Sequence, residues 1–268
     1  MLLPALRSGA SAVRRAGWPA YAVALLAGLP DLIPSSALSA PVEVALFPVV
    51  GLARTILFLG LIRVLAAHRA EPVPPPPAVD ASGVRTVTQS VVPPVGDEDR
   101  RLAIAMRRAA LLGRPALRLF AITLLGSTSA ALIALGLLGA NGLDIEDIGS
   151  REPIAVLPVA LLSALLLSFV AMADQRVALE GDPRVLLAAA HSVRIAMAAY
   201  ASVYFLVLLA VSPGTVGALL PAGVDGLGYQ VPRIVVGALV QLLVLGALNE
   251  VYVRGPRADL VVDAARPL

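Results

Sequence analysis

Arg54 stands near the middle of an apolar run, Val42–Ala67, with about a dozen mostly apolar residues on either side. An arginine at that depth in hydrocarbon costs about 2.5–3.5 kcal/mol on insertion scales. It must therefore face a bundle interior or water and find hydrogen-bond acceptors. Gln241, mid-way along the run Val231–Val253, and Ser127 in the cluster Ser127-Thr128-Ser129 are the polar partners at comparable depth. No acid matches it in depth. The chemistry such a set offers is the binding of an anion or a lipid headgroup. The plainer alternative is an interior arginine held by neutral hydrogen bonds. Nearer the ends of the runs, an Arg63–Glu250 or Arg63–Asp174 pair would register neighbouring helices.

Other chemistry finds little support. The chain has no cysteine, which excludes disulfides, thiolate metal sites and cysteine nucleophiles. All of its Lys+Arg are arginine, so there is no P-loop lysine and no Schiff-base lysine. His68 and His191 each lack a second metal ligand at a recognised spacing. Asp144, Glu146, Asp147 and Glu152 cluster, but without the spacing of a calcium loop, and read as a solvated acidic segment. No catalytic, cofactor or metal site is expected, and the protein is read as not an enzyme.

A second arginine pattern is periodic. Asp97, Glu98 and Asp99 open a helix, as acidic residues do at the positive end of the helix dipole. At ~100° per residue, Arg100, Arg107, Arg114 and Arg118 form one stripe, and Arg101 and Arg108 a second. Ile104 and Leu111 lie between the stripes, with Leu102, Met106 and Ala109 opposite. Two apolar faces separated by arginines suit a helix lying in a membrane interface, its guanidinium groups reaching anionic headgroups. Arg100, Arg101, Arg107, Arg108 and Arg114 are the candidate contacts. An ordinary basic flank of a membrane span is the alternative.

These residues need elements to carry them. Of 268 residues 58% are hydrophobic and 15% charged, and the charges cluster between long apolar runs. A soluble core cannot absorb so much apolar sequence, whereas a bilayer can. Six runs reach spanning length: Trp18–Leu38, Val42–Ala67, Ala116–Ala140, Pro153–Ala173, Arg194–Ser212 and Val231–Val253. The expected fold is an all-α polytopic bundle of about six spans with cytoplasmic interfacial helices.

Arginine asymmetry sets the orientation. One side would hold Arg7, Arg14 and Arg15, then Arg69, Arg85, Arg100, Arg101, Arg107 and Arg108, then Arg176 and Arg184, and finally Arg254, Arg257 and Arg266. The other would hold only Arg151 and Arg233. Both termini then lie in the cytoplasm. The alanine-, proline- and glycine-rich composition, with arginine and no lysine, suggests a GC-rich bacterial genome, and the expected location is the bacterial inner membrane. Residues 1–40 also admit a rival reading as a cleaved signal, with Arg14-Arg15 before an apolar stretch and Ala37-Leu38-Ser39 as the cut.

The chain divides into an N-terminal tail with two spans (1–69), a proline-rich linker (70–96), an interfacial helix with four spans (97–253) and a C-terminal tail (254–268). In the linker, Pro72, Pro74 to Pro77, Pro93 and Pro94 bar a regular helix or central strand. Val84–Val92 and Leu260–Val262 are rich in strand formers and open the option of a small cytoplasmic sheet. Asp182-Pro183 is a good start for a further interfacial stretch, Arg184 to Ser192, before the fifth span.

The stretch Val177 to Ser192, with Glu180, Gly181, Ala188 and Ser192, resembles the segment after the fourth span in a family of bacterial six-span proteins. These are the YciC-like proteins and the membrane domains attached to some glycerophosphodiester phosphodiesterases. The resemblance implies a six-span membrane protein and transfers no catalytic residue. The proline-rich insert at 70–96 departs from the compact connection of that family.

Together these readings lead to a non-enzymatic integral membrane protein without cofactors. Its partners would be anionic membrane lipids or a membrane protein, and not nucleic acid, since the arginines sit where orientation rules place them. The alternative is a small-solute transporter or channel with a polar site around Arg54.

Overall fold

The computed structural model describes residues 2–32, 40–68, 104, 106, 107, 109, 113–140, 153–180, 185–219 and 227–254. Every regular element among them is helical. The helices are α1 (Leu2–Gly28), α2 (Ala40–Ala67), α3 (Gly113–Ala140), α4 (Pro153–Ser168), α5 (Ala173–Glu180), α6 (Val185–Ala198), α7 (Tyr200–Leu219) and α8 (Leu227–Arg254). A 3₁₀ turn, Leu29–Leu32, ends α1. The linker 70–96, the acidic segment 144–152 and both strand candidates lie outside the described residues.

The backbone of the bundle is the pairing of α1 with α8. Ala5, Gly9, Ala12, Ala16, Ala20, Ala24 and Ala27 are all buried and recur every three or four residues, so they fall on one face. With no long side chain on that face, the two helix backbones approach closely. The crossing point is Gly9 on Gly246: a Cβ on Gly9 would lie 2.7 Å from the Ala247 nitrogen, and one on Gly246 would lie 2.9 Å from the Gly9 Cα. Nearby, Ser8 Oγ donates to Glu250 Oε2 at 2.9 Å, and at the other end of α1 Gly28 packs on Ile234, so α1 and α8 run antiparallel.

α1 is broken at Gly17, whose φ of 64° only glycine adopts at little cost. Pro19 follows and cannot donate to the preceding turn. Beyond the break, Trp18 to Gly28 supplies one short helix. At ~1.5 Å per residue it covers roughly half of a 30 Å hydrocarbon core. The expected span Trp18–Leu38 is therefore not one continuous α-helix: the α-helix ends at Gly28, a 3₁₀ turn with Pro30 follows over Leu29–Leu32, and residues 33–38 lie outside the described ones.

Two helices are individually long and apolar enough to cross a membrane, at Ala45–Ala67 and Gly228–Arg254. Two more candidates are bent: Ala160–Ser168 with Ala173–Leu179 at 42°, and Ser192–Ala198 with Tyr200–Ser212 at 108°. The described residues thus hold two to four candidate spans where six were expected. The expected fifth span, Arg194–Ser212, is corrected: its first five residues belong to α6, and the chain turns at Ala199. The expected fourth span, Pro153–Ala173, ends at Ser168, and residues 169–172 form a turn.

That turn is held from the side. The Met172 N–H donates to the Ser192 Oγ at 2.8 Å, and both residues are fully buried. Ser192 thereby ties α6 to the joint between α4 and α5. Many large apolar side chains point out of the bundle, among them Leu125, Leu132 and Trp18, each more than 60% exposed. Such a surface suits hydrocarbon and would drive aggregation in water.

Candidate functional site

A cavity of about 430 Å³ opens between α1, α2, α7 and α8. It exists because the residues around it are small: Ala24, Ala27 and Gly28 close α1, while Gly237 and Ala238 face them from α8. A volume of this size falls in the range of small-molecule sites. α2 contributes Arg54 and, one turn on, Phe58. From α8, Arg233 and Gln241 project into the same space, since residues 233, 237 and 241 repeat every four positions. Ala210 and Val211 of α7 complete the wall. The cavity therefore holds two guanidinium groups and one carboxamide. No carboxylate, hydroxyl or imidazole lines it among the described residues.

Arg54 is anchored by the end of α1. Its Nε donates to the Ala27 carbonyl at 2.7 Å. That carbonyl needs an outside donor for a covalent reason. In a 3₁₀ turn the N–H three residues on bonds back, and here that residue is Pro30, which has none. A cation at a helix C-terminus is also favoured by the helix dipole. At ~1.5 Å per residue, Arg54 lies about 14 Å along from Ala45, and Arg233 about 8 Å along from Gly228. Among the described residues, Arg233 and Gln241 have no hydrogen-bond or ion-pair partner.

Comparison with protein-family models, with curated proteins and with solved structures found no match. The site stands on its geometry alone.

Of the three residues singled out for an intramembrane polar site, the structure brings two, Arg54 and Gln241, to one cavity. Ser127 lies on α3, which lends no described residue to the cavity, and its side chain is outside the described residues. From sequence, Arg233 reads only as one of two arginines on the far side of the bilayer. The signal that would have found it is its four- and eight-residue spacing to Gly237 and Gln241. Nothing in a continuous apolar run from Trp18 to Leu38 marks the Ala27 carbonyl, which becomes available because the α-helix ends at Gly28.

The opposite end of the bundle, where α2 and α8 finish, carries the other polar groups. Arg63 Nε donates to the Ala178 carbonyl, tying α2 to α5. Asn249 Nδ2 donates to the Ile62 carbonyl at 3.0 Å, tying α8 to α2. Glu250 is 2% exposed, accepts from Ser8 and pairs with Arg254. These contacts register helices, and among the described residues no group of His, Asp or Glu converges as a metal site.

Exposed arginines lie on several elements. Arg7, Arg14 and Arg15 are on the first half of α1, Arg114 and Arg118 on the first turns of α3, where Phe120 packs on Gly51 and Phe47 of α2, and Arg194 on the crosswise α6. Arg107 is exposed beside Met106, whose sulfur packs on Gly60 near the end of α2. Ala109, on the face of Met106, is fully buried. Of the candidate headgroup contacts, Arg107 and Arg114 are therefore exposed, and Arg100, Arg101 and Arg108 lie outside the described residues.

Proposed function

We propose that this chain is a multi-pass protein of a bacterial cytoplasmic membrane, with six crossings and both termini inside, that acts by binding anionic lipid and not by catalysis. The observation that carries this reading is the exposure of arginines on an apolar bundle. Seven of them, Arg7, Arg14, Arg15, Arg107, Arg114, Arg118 and Arg194, are exposed. The flanks of the bundle are apolar. Exposed arginines on an apolar body match an anionic leaflet, where each arginine near the headgroups contributes about 1 kcal/mol. The 108° turn between α6 and α7 supports an α6 lying in the interface with Arg194 at the headgroups. Six crossings require α1 with its 3₁₀ extension, and α3, to pass through the bilayer with the two bent pairs.

The test uses the full chain in nanodiscs of zwitterionic lipid with a rising fraction of anionic lipid. Thermal stability should climb with that fraction, and the gain should shrink with salt. Stability indifferent to both overturns the reading.

A second reading, a small-solute transporter, draws on the cavity with Arg54, Arg233 and Gln241. It predicts flux of an anionic solute into proteoliposomes that Arg54→Leu abolishes, where lipid binding alone predicts none.

A further inference from the structure

We propose that the cavity between α1, α2, α7 and α8 is a binding site for a phosphate group, clasped by Arg54 and Arg233 and oriented by Gln241. This goes beyond the lipid-binding reading, because the cavity is lined by none of the seven exposed arginines.

Three observations carry it. Two guanidinium groups from different helices line one volume that no described carboxylate enters. Like charges sharing one cavity repel, and an anion placed between them removes that cost. Second, Arg233 and Gln241 reach this volume without a partner among the described residues. Polar groups in such a place bind a ligand or water, since leaving them unsatisfied is costly. Third, Arg54 is oriented in advance. Its Nε is bound to the Ala27 carbonyl, so less side-chain freedom is lost when a ligand arrives.

Phosphate fits this set better than carboxylate. Its several oxygens accept from two planar guanidinium forks at once, and its charge answers both. The amide of Gln241 adds a neutral donor. The volume of about 430 Å³ exceeds what a bare phosphate needs. Phe58, Ile234 and Ala238 give the remainder an apolar lining, so a phosphate with an organic substituent fills the space. The phosphate has two sources, a free ion or ester and a phospholipid headgroup.

The experiment compares wild type, Arg233→Leu, Gln241→Leu, Arg54→Leu and the control Arg194→Leu, all as full chains. Arg233 and Gln241 bond to no other described residue, so their variants keep the site testable if Arg54→Leu fails to fold. One arm titrates inorganic phosphate against chloride in zwitterionic nanodiscs and reads heat and thermal shift. The other counts phospholipids retained through detergent purification by native mass spectrometry. A free-phosphate site shows binding in the first arm that weakens about ten- to hundredfold in Arg233→Leu. A headgroup site shows a retained phospholipid that Arg233→Leu loses and Arg194→Leu keeps. The proposal is overturned if neither arm separates wild type from Arg233→Leu. That result leaves the lipid-binding reading untouched, since that reading is tested by anionic-lipid dependence with Arg107, Arg114 and Arg118 replaced.

Discussion

Gly9→Ala adds one methyl group at the tightest point of the α1–α8 pairing. The new Cβ would stand 2.7 Å from the Ala247 nitrogen and 2.9 Å from the Leu243 oxygen, where ordinary contact begins near 3.4 Å. Both obstacles are backbone, so no side chain can swing aside. The helices must part by about 0.7 Å, the difference between the clash and ordinary contact. A gap of that size forfeits a quarter to a half of the dispersion energy of the atoms it separates. The stripe Ala5 to Ala16 shares the loss. Overpacking of this kind costs roughly 1–3 kcal/mol, against roughly 0.5–1 kcal/mol gained from replacing a helical glycine. The expected net loss is about 1 kcal/mol, within a range of roughly 0–2.5 kcal/mol. Gly136 is the control, because a Cβ there meets nothing within 4 Å. Gly136→Ala should be neutral or slightly stabilising. The assay is reversible unfolding in mixed micelles, with limited trypsin digestion at Arg7, Arg14 and Arg15 as a local readout. Gly9→Ala should lower the midpoint and speed those cleavages, and Gly9→Leu should do both more strongly. If Gly9→Ala matches Gly136→Ala in both assays, the backbone contact between α1 and α8 does not exist.

Ser192→Val should destabilise by about 1–3 kcal/mol, since it leaves the buried Met172 N–H without an acceptor. Equal unfolding midpoints for the variant and wild type would contradict that bond. Glu250→Ala removes the acceptor of Ser8 and the partner of Arg254. Faster trypsin cleavage of the first half of α1 is expected, and unchanged rates would count against the docking of α1 by Glu250. Reporter fusions after residues 40, 148 and 225 should read as external and fusions at either terminus as cytoplasmic; an internal signal from any of the three breaks the six-crossing topology.

The helical class was legible because apolar runs of spanning length admit no other low-cost backbone in hydrocarbon. α2 and α8 follow the sequence reading closely: Val42–Ala67 lies within Ala40–Ala67, and Val231–Val253 within Leu227–Arg254. Both stay straight enough to pass as single spans despite Pro48 and Pro232, which fall within their first three turns. Arg54 and Gln241 were legible as a pair because a charged and a polar side chain deep in apolar runs need company. What the linear pattern did not reveal was who else attends them. Composition places Ala27 and Arg233 at ordinary positions. Only the packing of the small-residue face of α1 on α8 brings a carbonyl orphaned by Pro30 to Arg54, and Arg233 to the same cavity. The bends at residues 169–172 and at Ala199 were equally hidden, because no proline or glycine marks either. Hydropathy runs continuously through both, and a side-chain hydroxyl, that of Ser192, secures the first bend from another helix. Apolar length is a local property that sequence states directly. Helix direction and the sharing of a cavity depend on contacts between distant segments, which only the folded chain decides.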